Sequence, residues 1–303
     1  MPTVTSGINT VTATINGQTY TLTKNTTTGK YEATITAPNT SSYNNNAGHY
    51  YPVSLTATDV AGNSVTANDQ HQTLGDSLKL QVKETTAPTI SNVSPSNNSY
   101  LATSTPTITA QLRDNDSGVK ISTLVLKIDN VAVSSGIITS QVSGGYDISY
   151  TTSALADGAH TIKIQVGDND GNTSTETTVT INIATTAPTL TITSPTDDLA
   201  TKNSSLTVSG TTNADATVTV KLNNGSAQSV TVGSGGAFSK TLTLSTEGEN
   251  TITIVATNPA GVTTTVTKTV IYDTTAPVFQ SIVINPNPTN TGSTYTITVE
   301  VTD

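Results

Sequence analysis

Two short acidic clusters contain the residues of this chain that are best suited to binding a metal ion. Asp114 and Asp116 form the first cluster, and Asp168 and Asp170 form the second. Ca²⁺ takes several oxygen ligands, which carboxylates supply, so the clusters predict a calcium site near a domain junction. Neither cluster fits the EF-hand pattern, because a glycine comes too early and no glutamate holds the twelfth place. The alternative, which we favour from the sequence alone, is that these Asp residues cap tight turns by hydrogen bonding to the backbone.

A second candidate site is a loop rich in tyrosine and asparagine between residues 39 and 51. Tyr43, Tyr50 and Tyr51 lie within nine residues of one another, and His49 stands among them. Tyr, Asn and Ser are typical of adaptable binding loops, and aromatic faces bind sugars or proteins. The loop therefore predicts a ligand-binding site made of these four side chains.

No set of residues has the pattern of a catalytic site. A serine nucleophile needs a positioned base and an orienting acid, but the chain has no G-x-S-x-G motif and only three separated histidines, His49, His71 and His160. It has no cysteine, which excludes a disulfide scaffold and a Cys-ligated zinc site. We predict that the protein is not an enzyme and takes no cofactor apart from the calcium considered above.

The composition excludes two further classes of partner. The chain has 303 residues, with 12 basic and 21 acidic side chains and a net charge of −9. Without a basic cluster it is not suited to binding nucleic acid, whose phosphates need Lys and Arg. No apolar run approaches the length that spans a bilayer, so no membrane insertion is expected. Abundant Thr, Val and Ile favour strands, and Asn and Gly favour tight turns.

The elements that position these residues recur along the chain. The string Thr-Thr-Ala-Pro occurs at Thr85–Pro88, Thr185–Pro188 and Thr274–Pro277. Each string follows, by about 13 to 26 residues, a turn rich in Asp, Asn and Gly. These turns lie at residues 59–63, 168–172 and 258–261. The spacing of about 90 to 100 residues is that of one β-sandwich domain.

Alternating apolar residues before and after each turn predict the strands. In the second unit Ile162, Ile164 and Val166 alternate with polar residues, which indicates a strand with one buried face. The corresponding residues are Val53, Leu55 and Ala57 in the first unit and Ile252, Ile254 and Ala256 in the third. The predicted return strands carry Leu78, Leu80 and Val82, then Val179, Ile181 and Ile183, then Val266 and Val270. No segment has a sustained helical pattern, so we expect almost no helix.

These units resemble bacterial Ig-like repeats. The resemblance depends on the Thr-Thr-Ala-Pro linkers, on the Asp-x-x-Gly-Asn turns before the last strand, and on the sequence Asp114-Asn115-Asp116-Ser117-Gly118. From the opening unit onward, including Ile15–Tyr20, the order of units is similar to tail-associated Ig-like proteins of phages of Gram-positive bacteria. In Ig-like folds the place of Tyr50 or Tyr51 is that of the tyrosine corner, which gives these two residues a structural alternative. His160 and Asn250 hold the same place in the later units.

The predicted fold is all-β, with tandem Ig-like β-sandwiches in an elongated rod, because Pro-containing linkers are short and stiff. The predicted domains are residues 1–85, 86–185 and 186–274, followed by a partial fourth unit of two strands at 275–303. The resemblance implies a non-enzymatic structural or adhesive protein of the phage tail that acts as a spacer or as a weak binder of host-surface carbohydrate. The alternative is a segment of a bacterial cell-surface adhesin.

The two ends bear on location and partners. The sequence after Met1 has neither a basic region nor an apolar region typical of a signal peptide, which favours a virion protein over an extracellular or cell-surface one. Two strands at 278–303 cannot close a sandwich. Either the fourth unit is cut there, or another chain completes its open edge by β-augmentation. The expected partners are therefore other virion or surface proteins at this edge, and cell-surface glycans.

Overall fold

The computed structural model describes residues 6–303, so the predicted start of the first domain lies outside the described residues. The described part is built of β-strands, turns and loops, with one 3₁₀ turn at Gly75–Leu78 as its single helical element. Each sheet draws its strands from one of the predicted repeats. The prediction of an all-β fold is confirmed.

The first repeat forms one antiparallel sheet of six strands. The order is β3-β2-β1-β4-β5, and β6 pairs with β4. Asn16 and Gly17 both have positive φ, of 47° and 73°, and join β1 to β2 as a two-residue hairpin turn. The strands are β1 (Ile8–Ile15), β2 (Gln18–Lys24), β3 (Tyr31–Glu32), β4 (Tyr51–Asp59), β5 (Ser64–Ala67) and β6 (Lys79–Leu80).

The return strand predicted for the first repeat at Leu78–Val82 forms only over two residues, Lys79–Leu80. The chain returns at once after the turn, as β5, whose Ala67 pairs with Leu55 of β4. Leu78 ends the 3₁₀ turn, and the two-residue β6 pairs with the start of β4. The sequence does not predict β5, because its residues are polar or exposed and lack an alternating apolar pattern. Cross-strand hydroxyl pairs such as Thr56–Thr66 at 3.1 Å take the place of apolar contacts.

The second repeat is a sandwich of two sheets, ordered β12-β13-β9-β7 and β11-β10-β14-β15-β8. Its core contains the alternating residues Ile162, Ile164 and Val166, all with 0 % exposure, as the alternation predicts. The strands are β7 (Thr89–Ser94), β8 (Ser99–Leu101), β9 (Thr107–Arg113), β10 (Val119–Ile128), β11 (Val131–Ala132), β12 (Ile138–Val142), β13 (Gly145–Thr151), β14 (Gly158–Asp168) and β15 (Thr177–Ile183).

The third repeat is also a two-sheet sandwich, ordered β16-β18-β21 and β17-β23-β22-β19-β20. Ile252, Ile254 and Ala256 of β22 lie in its core with 0 % exposure. By contrast, Val53, Leu55 and Ala57 of the first repeat are only half-buried. The strands are β16 (Leu190–Ser194), β17 (Leu199–Thr201), β18 (Ser205–Thr212), β19 (Thr217–Leu222), β20 (Gln228–Val230), β21 (Ala237–Thr243), β22 (Gly248–Thr257) and β23 (Thr263–Tyr272).

The last two strands, β24 (Val278–Asn285) and β25 (Thr296–Thr302), form an antiparallel hairpin. Its apolar side chains are exposed, among them Phe279 at 66 % and Ile282 at 60 %. No other described strand pairs with the hairpin, and the partner predicted for its edge stays a prediction.

The chain divides into two compact units. One runs up to Asn182 without residues 100–104, and the other comprises Tyr100–Ser104 and Ile183–Asp303. The junction between the first and second repeats therefore lies inside the first unit. The linker that precedes the third repeat lies, with that repeat, inside the second unit.

Candidate functional site

Three carboxylates meet at the junction between the first and second repeats. Glu84 stands just before the linker, Asp114 follows β9, and Asp168 is the last residue of β14. One oxygen atom from each lies within 4.8 Å of the other two. Asp114 is 8 % exposed and Asp168 is 1 % exposed. Like charges this close disfavour one another, so the cluster is suited to hold a cation or a proton.

The two aspartates of the cluster are oriented by turns. Oδ1 of Asp114 accepts the N–H groups of Asp116 at 3.0 Å and Gly118 at 2.8 Å. Oδ1 of Asp168 accepts those of Gly171 at 2.6 Å and Asn172 at 2.8 Å. Turn capping, the alternative favoured from the sequence, is therefore present. It also fixes both carboxylates in the cluster.

Glu84 is held against the second repeat by its backbone and its side chain. Its N–H donates to Oδ2 of Asp170 at 3.0 Å, and its carbonyl accepts Nδ2 of Asn172 at 3.2 Å. Its Oε1 accepts the N–H of Ser117 at 2.7 Å. Burial raises the pKa of the Glu84 carboxyl and the charges of Asp114 and Asp116 raise it further, whereas the hydrogen bond from the Ser117 N–H and the nearby Ser117 side chain lower it.

A buried hydroxyl adjoins the cluster. Ser117 is 1 % exposed, and its Oγ has no hydrogen-bond partner among the described residues. Its backbone N–H is bonded to Glu84, and its side chain is close enough to lower the pKa of that carboxyl. An unsatisfied buried hydroxyl is unfavourable and calls for a reason.

Asp116 and Asp170, the other two predicted ligands, lie outside the cluster and dock the first repeat onto the second. Both carboxylate oxygens of Asp116 accept the N–H of Ser41, at 2.8 and 3.0 Å. Asn44 donates to the carbonyl of Asp116. Asp170 accepts the N–H of Glu84. The sequence thus predicted two members of the cluster and missed Glu84, whose only signal was its place directly before a linker string.

The tyrosine loop contains one stacked pair of rings and two hydrogen-bonded tyrosines. The rings of Tyr43 and His49 are stacked, with centroids 4.0 Å apart and an angle of 8° between the planes. Tyr51 is 4 % exposed, and its hydroxyl lies 2.6 Å from Oγ1 of Thr40. The hydroxyl of Tyr50 donates to Oδ2 of Asp69 at 2.7 Å, which raises the pKa of Tyr50. These contacts favour the structural alternative for Tyr50 and Tyr51.

The later repeats hold the same place with other polar side chains. His160 lies 2.7 Å from Oδ2 of Asp129 through Nδ1 and 2.8 Å from the carbonyl of Ala156 through Nε2. Asn250 donates to the carbonyl of Thr246 at 2.8 Å. In each repeat a polar side chain therefore ties the start of a central strand to its surroundings.

A groove of about 720 Å³ runs beside the cluster within the first unit. Tyr43 and Asn44 of the first repeat line it, together with Lys120, Gln141 and Tyr146 of the second. Its lining is mainly polar, with an aromatic ring from each repeat.

Comparisons with known proteins agree with this architecture. Residues 88–164 match the family model of a bacterial Ig domain, and residues 188–274 match that of glucodextranase domain B. The chain contains tandem Ig-like repeats. Such domains are generally non-catalytic. No curated protein matches the chain. Within the described residues, no helix has the length and hydropathy needed to cross a membrane.

Several solved structures resemble the Ig-like repeats at low identity. The fibronectin(III)-like modules of Clostridium thermocellum CbhA share 17 % identity, with a TM-score of 0.41, over 61 % of this chain and 94 % of that one. A tetra-tandem repeat from the extending region of a large adhesion protein shares 17 %, with a TM-score of 0.33, over 99 % and 82 %. The D00-D0 domain of intimin shares 17 %, with a TM-score of 0.30, over 61 % and 99 %.

Proposed function

We propose that the chain is a structural array of Ig-like repeats that holds an adhesive or assembly partner at a set distance. The observation that carries this proposal is that its linkers are bonded to the repeat that follows them. At the first junction, Asp116 and Asp170 accept backbone N–H groups of the preceding segment. Linkers fixed in this way keep successive domains from moving freely, which a spacer requires.

The second linker is bonded in the same manner within the second unit. Nδ2 of Asn258 donates to the carbonyls of Ala184 and Thr186, both at 3.0 Å. Oδ1 of Asn213 accepts the N–H of Thr189 at 2.9 Å. The bonds reach the backbone of the linker, so they hold its path and not only its side chains.

The assembly we propose is a phage tail, and a bacterial cell-surface adhesin is the alternative. The net charge of −9 and the Thr-, Ser- and Asn-rich exterior suit a surface in contact with water. Mass spectrometry of purified virions and of cell-wall fractions from the organism that encodes the chain separates the two. Detection in virions at a copy number that matches a tail symmetry is expected, whereas detection in the wall fraction alone would favour the adhesin.

The spacer role has its own physical test. A variant with Gly-Ser-Gly-Ser in place of Thr85–Pro88 should show a broader distribution of sizes by small-angle scattering than the wild type. A matched variant that changes the exposed turn 290–293 to Gly-Ser-Gly-Ser, which keeps Gly292 and Ser293, should leave the distribution unchanged. Equal profiles for the linker variant and the wild type would contradict a fixed spacer.

A second candidate function is weak glycan binding beside the first junction. The stacked rings of Tyr43 and His49 adjoin the polar groove, and aromatic faces with nearby amides suit sugar recognition. On a glycan array, Tyr43→Ala should lose binding. Tyr100→Ala, which changes an exposed tyrosine away from the groove, should retain it. Equal binding by wild type and Tyr43→Ala would remove the loop from consideration.

A further inference from the structure

We propose that Glu84, Asp114 and Asp168, together with the Ser117 hydroxyl, form a Ca²⁺ site that joins the first repeat to the second. The proposal deepens the spacer function, because the ion would bind one repeat to the next. It is carried by two independent observations, the convergence of three carboxylates and the unpartnered buried hydroxyl beside them.

The first observation is a cluster of carboxylates that has hydrogen-bond donors but no cationic partner among the described residues. Two of the three carboxylates are buried, and all three offer oxygens within 4.8 Å of one another. Among the described residues, no Lys or Arg forms an ion pair with any of them. Lys83, the residue before Glu84, donates instead to the backbone carbonyl of Asp170 at 3.4 Å. A bound cation would supply the missing charge.

The second observation is Ser117. Its Oγ is enclosed and has no hydrogen-bond partner in the described part of the chain, although it lies beside Glu84. A hydroxyl oxygen is a neutral ligand that a hard cation accepts as readily as a carbonyl. A metal ion in the cluster therefore accounts for a polar atom that the protein alone leaves unsatisfied.

The donor set selects calcium among common metals. All four candidate ligands are oxygens, whereas zinc prefers Cys and His. Ca²⁺–oxygen distances of about 2.3–2.6 Å place opposite ligands about 5 Å apart, which matches the separation within the cluster. Mg²⁺ demands a smaller octahedral shell and gives up its waters reluctantly. The remaining positions of a six- to eight-ligand shell would be filled by water.

The third repeat supplies an internal control, because it makes equivalent hydrogen bonds at these positions with uncharged side chains. The turn residue Asn258 corresponds to Asp168, since each caps the turn after its strand and faces the preceding linker. Ala184, directly before the second linker, corresponds to Glu84. Thr212 corresponds to Asp114, because each donates its N–H to a glycine carbonyl, at 2.9 and 2.8 Å. Of these two junctions, only the first is therefore expected to bind calcium.

The test is calorimetric titration of the chelator-treated full chain with CaCl₂. One ion per chain should bind, with a dissociation constant in or below the range of about 10⁻⁴–10⁻³ M known for extracellular calcium modules. Asp168→Asn should weaken binding by at least about tenfold, while its fold is preserved because Asn258 serves the same turn. Asp59→Asn changes the corresponding turn of the first repeat, where the described residues form no such carboxylate cluster, and should bind calcium as the wild type does.

Ser117→Ala tests the fourth ligand. It should weaken calcium binding severalfold, whereas a hydroxyl without a role in the site would leave the titration unchanged. No binding heat at ~10 mM Ca²⁺, or equal affinity in the wild type and Asp168→Asn, would overturn the site. That result would leave the proposed spacer function standing, because the linker-replacement variant tests the spacer by small-angle scattering, which needs no calcium.

Discussion

The second and third repeats place different residues at the same backbone positions, and the difference is one of charge. Asp168 caps the turn after β14 by accepting two backbone N–H groups. Asn258 caps the turn after β22 in the same way, at 3.0 and 2.9 Å. The fold therefore requires an oxygen acceptor here and not a charge. An aspartate at this position adds a property that the turn itself does not need.

The starts of the central strands show the same contrast. In the second repeat, Asp129 accepts a backbone N–H at 2.8 Å and pairs with His160. In the third, Asn223 accepts the corresponding N–H at 2.8 Å and donates to Asn250 at 2.9 Å. A pair of amides gives the geometry without response to pH or cations. In the second repeat, we expect the Asp129–His160 pair to respond to pH and the carboxylate cluster to respond to cations.

The largest effects are expected when either turn cap is removed. Asp168→Ala and Asn258→Ala each delete bonds to backbone groups of the turn, and Asn258→Ala also frees two linker carbonyls. We expect each to destabilise its own repeat by about 2–4 kcal/mol. Urea unfolding followed by hydrogen exchange of each repeat measures the change. If only Asp168→Ala were destabilising, the two turns would not be equivalent.

Transplanting the charges should add a second calcium site at the second linker. The triple variant Ala184→Glu, Thr212→Asp and Asn258→Asp should be less stable without calcium by about 1–2 kcal/mol, equivalent to a pKa change of about one unit. Calcium should restore its stability. Calorimetry should then give two ions per chain in place of one. A stoichiometry that stays at one would show that the cluster needs more than these three residues.

Docking of the first repeat by Asp116 should contribute a smaller amount. Asp116→Ala removes the acceptor of the Ser41 N–H, and we expect a loss of about 1 kcal/mol. Faster amide exchange at Ser41 would report it directly. Asp215→Ala changes an exposed aspartate in the corresponding loop of the third repeat and should have no measurable effect. Unchanged exchange at Ser41 would assign docking to other contacts.

The core could be predicted from the sequence because burial imposes a period of two on a strand. Ile162 and Ile164, or Ile252 and Ile254, alternate with polar residues since one face of each strand meets the opposite sheet. The exposed β5 carries no such pattern. It pairs with β4 directly after the tight turn, whereas the alternation at Leu78–Val82 corresponds only to the two-residue β6.

Two members of the carboxylate cluster could be predicted from the sequence and the third could not, for a physical reason. Asp114 and Asp168 belong to turns with recognisable local sequences, so their types and spacing point to oxygen chemistry. Glu84 reaches them through the tertiary fold, across the linker, and a single glutamate before a linker has no local signature. The roles of Asp116 and Asp170 likewise depend on which backbone N–H groups of the first repeat come near them.

The smallest expected effect is a pH response confined to the second repeat. The hydrogen bond with Asp129 raises the pKa of His160 above its ordinary value of 6.5, against an opposing effect of burial. Burial raises the pKa of Asp129, but bonds from His160 and Thr161 leave it below its ordinary value of 3.8. The pair therefore stabilises the fold fully at pH values between the ordinary pKa values of the two groups, 3.8 and 6.5. This stability is lost as the pH rises through the elevated pKa of His160, or falls through the lowered pKa of Asp129.

Because Asp129 is 47 % exposed on its side chain, solvent screens the pair, and we expect less than about 1 kcal/mol. Hydrogen exchange between pH 6 and pH 9, corrected for intrinsic rates, should show the second repeat weakening above about pH 6.5. The third repeat, with Asn250 and Asn223 in these places, should show no such change. His160→Asn should give the second repeat the flat profile of the third. If both repeats of the wild type weakened alike, the charge difference between them would have no consequence for stability.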